Sequence, residues 1–140
     1  ALKDQGYLLL TSGEPDILLP CPNLILPYRE YQMLLKVSAA VVTMSTFREG
    51  WCRTAHEAML CKTPVIGSGA GGMAELLEGG RQLICRNIEE LPALVEAALK
   101  ERKKMGEDGF AFASRFTREV FDQAWVNLVE EVMADEHRGA

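Results

Sequence analysis

Short apolar runs, separated by loops and helix-like stretches, dominate the chain up to about residue 88. The runs predict five strands, at residues 6–12, 23–26, 39–44, 64–67 and 82–85. Apolar positions at helical spacing between them predict helices at residues 28–37, 52–61 and 73–78. Strands that alternate with helices are typical of an α/β fold with a parallel sheet flanked by helices.

The pattern changes after residue 88, where only helical spacing is found. Apolar residues on one face predict a helix at 89–103, and the glycines of residues 106–109 predict a break after it. Thr117 is the predicted N-cap of a last helix. The apolar stripe of this helix is predicted to pack on the same domain and to leave some apolar surface bare, and it consists of Val120, Phe121, Trp125, Leu128, Val129 and Val132.

Two loops follow predicted strands and are expected to border one cleft. Residues 44–49 follow the third strand, and residues 67–72 follow the fourth. In parallel sheets, ligands bind outside the carboxyl ends of the strands. The helix at 52–61 begins close to the first loop, and the free N–H groups of a helix start suit a phosphate. The sequence therefore predicts a ligand site at this edge of the sheet.

Glu49 and Glu57 are the candidate polar groups of this site. Glu49 precedes Gly50 in the loop, and Glu57 lies about two turns further on, in the helix. Both carboxylates can accept hydrogen bonds from hydroxyl groups on either side of a bound phosphate. A nucleotide-diphosphate sugar carries hydroxyls on both sides of its phosphate bridge, so it is the predicted ligand.

Composition and charge narrow the class of protein. The chain has 140 residues, of which 48% are hydrophobic and 25% charged, which predicts one globular domain over residues 1–140. A net charge of −5 argues against a nucleic-acid partner, and the two histidines are not spaced to join the cysteines as metal ligands. No apolar run approaches the roughly 20 residues of a membrane span. Free thiols in a reducing cytoplasm are predicted for Cys21, Cys52, Cys61 and Cys85.

The stretch FREGWCRTAHEAMLCKTPVIGSGAGGMAELLEGG resembles the Glu-x7-Glu segment of the family 4 retaining glycosyltransferases, which have the GT-B fold. The resemblance extends from the two glutamates to Ala58-Met59, to the strand of Pro64-Val65-Ile66, and to the turn of Gly71-Gly72 with Glu75. One departure is Cys61-Lys62, where the family usually has a small residue and Gly. This departure is expected to loosen a turn.

The resemblance implies a fold and roles for the site residues. The fold would be a Rossmann-like parallel sheet flanked by helices, the C-terminal, donor-binding half of a GT-B enzyme. Glu57 would bind the ribose hydroxyls of a UDP- or GDP-hexose, and Glu49 would face its sugar ring. Backbone amides would lie near the sugar and the diphosphate, and they belong to Gly50, Trp51, Cys52, Arg53 and Thr54. Tyr28, at the end of the second predicted strand, is a candidate either to line the base pocket or to pack in the core.

The resemblance also implies what the chain works with. A retaining hexosyltransferase needs a second, acceptor-binding domain, so this chain is expected to be a fragment that is inactive alone. The acceptor, a glycan or a lipid, and any membrane surface would be reached only through the N-terminal domain of the full-length protein. No metal and no cofactor beyond the nucleotide sugar is expected, and the expected location is the cytoplasm.

Two alternatives remain open at this point. Gly67, Gly69 and Gly72 spell G-x-G-x-x-G after a strand, with Glu89 or Glu90 at the distance of a ribose-binding acid, as in an NAD-dependent oxidoreductase. The short helix that follows weighs against this interpretation. The other alternative is a non-catalytic nucleotide-binding module. His56 does not complete a zinc-protease motif, because position 60 is Leu, and a packed or surface role is predicted for it.

Overall fold

The computed structural model describes residues 2–14, 18 and 20–138, and its strands form two parallel sheets. In the first sheet, β1 (Thr11–Ser12) pairs with β2 (Asn23–Leu24). The second sheet has the order β3 (Val41–Thr43), β4 (Val65–Gly67) and β5 (Leu83–Ile84). The register places Val41 beside Val65, and Ile66 beside Leu83. All pairings are parallel, which confirms the predicted α/β class.

The described residues also form six α-helices. Their bounds are α1 (Tyr28–Val37), α2 (Arg53–Leu60), α3 (Gly72–Gly79), α4 (Leu91–Lys100), α5 (Arg102–Ala113) and α6 (Arg118–Arg138). Short 3-10 turns at Lys3–Gln5 and Ile88–Glu90 complete the described elements.

The core lies on both faces of β4, which is buried along its whole length. Successive strand residues point to opposite faces of a sheet. Val65 accordingly packs in a cluster with residues of α1, α2 and α3, whereas Ile66 packs in a second cluster with Val95 and Ala98 of α4. Full burial of a side chain such as Ile66 stabilises the fold by roughly 1.5–3 kcal/mol.

Two buried polar side chains complete the hydrogen bonding near the start of β4. Gln82 Oε1 accepts a 2.9 Å hydrogen bond from the amide of Val65, and its Nε2 donates to the carbonyl of Met105 at 2.9 Å. The hydroxyl of Thr63 donates to the carbonyl of Leu35 at 2.8 Å. These bonds join β4 to α1 and α5, and they satisfy groups that would otherwise be costly to bury.

The buried strand predicted at residues 6–12 is wrong. Only Thr11–Ser12 form β1, and the side chain of Leu8 is 79% exposed. In the part of the chain that the structure describes, β1 pairs only with β2 and not with the larger sheet. Because β1 has a neighbouring strand on one side only, the apolar run that precedes Thr11 lies at the surface.

The predicted break at residues 106–109 is also wrong, because α5 runs through both glycines. A Cβ on Gly106 would collide with the carbonyl oxygen of Lys62, and one on Gly109 would lie 3.0 Å from Met59 Cγ. Glycine here allows α5 to lie directly against the end of α2. The break falls at Glu101 instead, between α4 and α5.

The turn after α2 is not loosened by Cys61-Lys62. Lys62 adopts a φ of 58°, the left-handed conformation that glycine accepts at no steric cost. The amide of Thr63 then donates to the carbonyl of Ala58 at 2.9 Å and closes the turn. This left-handed conformation explains why the family usually has glycine at this position. Lys62 adopts the same conformation at some cost in free energy.

The prediction that the stripe of α6 packs on the same domain is wrong, whereas the bare apolar surface expected on this helix is found. Phe121 is 60% exposed and Trp125 54%, and the remaining stripe residues are about half exposed. Thr117 does cap the helix, since its hydroxyl accepts from the amide of Val120 at 3.4 Å. The periodicity of a sequence shows which face of a helix is apolar, but it does not show which residues pack against that face.

No described helix combines the length and the apolar character that a membrane span needs.

Candidate functional site

The loops after β3 and β4 contact each other at the carboxyl edge of the larger sheet. The amide of Gly72 donates a 2.7 Å hydrogen bond to the carbonyl of Glu49, and Glu49 and Gly71 form an isolated parallel bridge. The amide of Ser45 donates to the hydroxyl of Ser68 at 3.1 Å. The predicted shared edge is confirmed, and the glycine turn supports the backbone of the loop that carries Glu49.

Cys52 lies between this loop and α2 and contacts Glu49. Burial, together with the nearby Glu49 carboxyl, raises the pKa of the Cys52 thiol above its usual value. The thiol also lies beside the hydroxyl of Thr43, the last residue of β3. The half-buried side chain of Glu49 is therefore held next to the end of β3 and the start of α2.

The N-terminus of α2 lies between Glu49 and Glu57 along the chain. The helix begins at Arg53, and the carbonyl of Cys52 accepts its first hydrogen bond, from the amide of His56, at 3.1 Å. Among the described residues, no side-chain hydrogen bond caps this end. Its first amides keep the partial positive charge that favours an anion. The side chain of Arg53 is exposed, and that of Thr54 is half-buried.

Glu57 lies one turn further along α2 and is held by residues of α1. The hydroxyl of Tyr28 donates to Glu57 Oε1 at 3.3 Å. Burial raises the pKa of the neighbouring Tyr31, whose hydroxyl lies near Thr54 and Glu57. The structure thus pairs two predicted residues, Tyr28 and Glu57, and places Thr54 and Tyr31 beside them. Sequence reasoning counted Tyr31 only as an apolar position, although its spacing of three residues from Tyr28 was visible.

Trp51 and His56 connect the start of α2 to the end of α5. The indole N–H of Trp51 donates to His56 Nδ1 at 3.2 Å, and His56 Nε2 donates to the carbonyl of Ala113 at 2.9 Å. This pair of partners requires the neutral imidazole with its proton on Nε2. The Trp51 ring packs on Phe116 with centroids 4.8 Å apart. The packed role of His56 is confirmed, and the side chain of Trp51 packs in the same cluster.

Two glycines of the G-x-G-x-x-G pattern are packed closely against other residues of this protein, which leaves no room for a side chain. A Cβ on Gly67 would lie 2.7 Å from Leu77 Cδ1, and one on Gly72 would collide with the carbonyl oxygen of Gly50. The amide of Gly72 is already bonded to Glu49. These contacts explain glycine at positions 67 and 72 without a bound dinucleotide. In addition, α3 is only eight residues long. The geometry therefore weighs against the NAD-binding alternative.

Metal-ligating groups do not converge in the described part of the chain. No group of three or more His, Cys, Asp or Glu side chains there could hold a metal ion. All four cysteines are free thiols, as predicted. The polar groups near the candidate site are instead the carboxylates of Glu49 and Glu57, the phenols of Tyr28 and Tyr31, and the backbone amides at the start of α2.

A parallel sheet flanked by helices, with two interlocked loops at its carboxyl edge, defines this chain as a Rossmann-like domain of the kind found in GT-B glycosyltransferases. The sequence model of the family described as Glycosyl transferases group 1 matches residues 26–111. The match covers more than half of the chain, so the chain belongs to this family. It includes all the candidate site residues and ends before α6. Searches of curated proteins and of solved structures found no match.

Proposed function

We propose that this domain binds a nucleotide-diphosphate sugar, a UDP- or GDP-hexose, for retaining transfer of the hexose as in family 4 enzymes. The observation that carries the proposal is the placement of Glu49 and Glu57 on either side of the uncapped N-terminus of α2. A ligand with hydroxyls at both ends and a diphosphate between them matches this arrangement in charge and in hydrogen-bonding capacity.

At the nucleotide end, Glu57 accepts hydrogen bonds from the ribose hydroxyls, and Tyr28 lines the base pocket. The diphosphate lies at the start of α2, where the amides of Arg53 and Thr54 donate to it. The guanidinium of Arg53 is close enough in sequence to add positive charge. As the sugar leaves, these groups stabilise the departing diphosphate, so catalysis at this end is electrostatic.

At the sugar end, Glu49 faces the hexose. The amides of Gly50, Trp51 and Cys52 border the same space. The contact of Gly72 with the Glu49 backbone supports this assignment, because it holds the loop while the side chain is half-exposed. A contact made chiefly as the sugar departs acts on the transition state, so Glu49 raises turnover more than ground-state affinity.

The remaining partners belong to the full-length protein. An N-terminal domain binds the acceptor, a glycan or a lipid, and brings it to the hexose, at a membrane surface where the acceptor requires one. Transfer takes place in the cytoplasm, where nucleotide sugars serve as donors, and it needs neither a metal nor a further cofactor. The 140-residue chain alone binds the donor weakly and does not turn it over.

Calorimetry with UDP and GDP tests the nucleotide end. Glu57→Gln replaces one of two acceptor oxygens by an NH2 group, and a charge-assisted bond of this kind is worth roughly 1.5–3 kcal/mol. The affinity should fall by about tenfold or more. Glu49→Gln should leave it nearly unchanged. Glu78→Gln, an exposed glutamate on α3, is the matched control.

Kinetics of the full-length protein test the sugar end. Glu49→Gln should lower kcat there. An equal loss of diphosphate affinity in both glutamate variants would disprove the division of roles, and no loss in either would disprove the site. Titration with NADH tests the oxidoreductase alternative. Binding of NADH, but of neither UDP nor GDP, would favour that alternative. A full-length protein that binds the donor but transfers no sugar would be the non-catalytic module.

A further inference from the structure

A groove with an excess of positive charge lies at the junction of α4 and α5. It consists of two adjoining hollows of about 380 and 490 Å³, which share the lining residues Lys100, Lys103 and Glu107. The cationic side chains that line the groove are Lys62, Lys100, Arg102, Lys103 and Lys104. Its acidic lining residues are Glu101 and Glu107. Because the chain as a whole has a net charge of −5, the groove differs in sign from the rest of the molecule.

Two carboxylates of α5 are already paired with cations. Lys62 Nζ donates to both carboxylate oxygens of Glu107 at 3.0 Å. Lys104 Nζ lies 3.2 Å from Asp108 Oδ2, in an ion pair within α5. Glu107 follows Lys103 by four residues, a spacing that permits an ion pair, but both of its oxygens accept from Lys62 instead. These carboxylates therefore do not neutralise the remaining cations of the groove.

Three cations of the groove have unused hydrogen-bond donors. In the part of the chain that the structure describes, the ammonium groups of Lys100 and Lys103 form no ion pair and no hydrogen bond. Arg102 Nη2 donates to the carbonyl of Ser38 at 3.0 Å, so most donors of its guanidinium stay available. Like charges that lie close together repel each other, and an anion bound between them removes that repulsion. The groove can therefore supply several N–H donors to one anion.

The groove is separate from the candidate site described above. Lys62 follows the C-terminal end of α2, whereas the backbone amides of the candidate site lie at the N-terminal end, which begins at Arg53. A helix of eight residues is roughly 12 Å long. An anion bound in the groove is therefore not the anion that the start of α2 would hold.

We propose that this groove is a second anion site, which binds a compact phosphorylated small molecule with two or more negative charges. Its hollows fall within the roughly 300–1,000 Å³ of small-molecule sites. Ammonium and guanidinium groups are the usual donors to phosphate oxygens. The concave shape and the two acidic lining residues favour a compact anion over a flat anionic lipid surface. This assignment does not depend on the proposed donor site.

An NMR titration of the ¹⁵N-labelled chain with inorganic pyrophosphate locates the site. At low salt, the amide resonances of residues 99–107 should shift and saturate. The double variant Lys100→Gln, Lys103→Gln should weaken the affinity read from these resonances by about fivefold or more, since it removes two of the unpaired cations. Raising the salt concentration to about 0.15 M should weaken wild-type binding, because the groove is open to solvent and its charges are screened.

Two further double variants are the controls. Lys100→Arg, Lys103→Arg keeps both charges, so its affinity should stay within about twofold of wild type. Arg86→Gln, Arg118→Gln removes the same total charge at positions that do not line the groove, and it should also stay within about twofold. All the substituted side chains are exposed, so each variant should fold with an unchanged melting temperature.

Four outcomes would overturn the proposal. In the first, pyrophosphate shifts only resonances at the start of α2, which leaves the proposed function standing. In the second, Arg86→Gln, Arg118→Gln weakens binding as much as the groove variant does, so net charge alone is responsible. In the third, citrate binds the groove as tightly as pyrophosphate, so the site does not select phosphate. In the fourth, the chain binds phosphatidylglycerol vesicles but not pyrophosphate. Shifts in the groove with none at the start of α2 would support this site and count against the donor site.

Discussion

The backbone amide of Gly72 donates a 2.7 Å hydrogen bond to the backbone carbonyl of Glu49. This bond joins the loop after β3 to the first residue of α3, and it makes the position of Glu49 depend on a glycine turn 23 residues away along the chain. The two loops are therefore one structural unit at the edge of the sheet.

Gly72→Ala should separate these loops. A Cβ at this position collides with the carbonyl oxygen of Gly50, which is backbone and cannot move without the loop. Overpacking of this kind costs about 1–3 kcal/mol, so the free energy of unfolding in urea should fall by that amount. Gly50→Ala is the control, because its Cβ would meet open space. Equal stability of Gly72→Ala and wild type would contradict the interlocked loops.

His56→Leu should weaken the connection between α2 and α5. The substitution leaves the Trp51 indole N–H and the Ala113 carbonyl without their partner, at an expected cost of about 1–3 kcal/mol in urea unfolding. Trp51→Phe removes the indole donor, so the double variant should be less destabilised than the sum of the two single variants. Strict additivity in this cycle would show that the Trp51–His56 bond contributes nothing.

Lys62→Gly should stabilise the domain. The left-handed φ of 58° costs a non-glycine residue roughly 1–2 kcal/mol, whereas glycine adopts it freely and loses part of that gain to the entropy of its unfolded chain. The ion pair of Lys62 with Glu107 at 3.0 Å is half-exposed and adds little. We expect a net gain of up to about 1 kcal/mol in thermal unfolding. Lys62→Ala, which loses the ion pair but keeps the strain, should show no gain.

Stability should fall at alkaline pH because of Cys52. Its pKa is raised in the folded state by burial and by Glu49, so the unfolded thiol ionises first as the pH rises. The contribution is fully present below the unfolded pKa of about 9 and is lost as the pH rises through the folded pKa. Urea unfolding between pH 8 and pH 10 measures it, since roughly these values span the thiol titration. Cys52→Ser, which does not titrate there, should show a smaller decline, and an identical decline would contradict the assignment.

The exposed stripe of α6 should cause self-association of this chain. Large exposed apolar patches mark interaction surfaces, and Phe121 and Trp125 contact each other but leave more than half of their surface exposed. Sedimentation should show association that rises with concentration. The double variant Phe121→Ser, Trp125→Ser should suppress it without lowering the melting temperature. A chain that stays monomeric at high concentration, or a double variant that unfolds, would contradict the exposed stripe.

The sequence by itself determined the class of fold and the sheet edge at which the two loops of the candidate site meet. The apolar runs and helical spacings up to residue 88 located β3, β4, α1 and α2 within a few residues, because these signals lie within short windows. Since parallel strands point the same way, the loops with Glu49 and Gly72 had to meet at one edge, and they do. The combined motif from Glu49 to Gly71-Gly72 then indicated a glycosyltransferase, which the match of the group 1 family over residues 26–111 shows.

Tertiary contacts alone decided the remaining features. A glycine costs a helix roughly 1 kcal/mol, which made a break at Gly106 the better sequence prediction, but close packing of α5 on α2 outweighs that cost. Tyr31 has an apolar body and a polar tip, and only the packing of α1 on α2 placed it near Glu57. The stripe of α6 was visible in the sequence, yet the extent of its exposure was not, because periodicity encodes the apolar face of a helix and distant residues decide what packs against it.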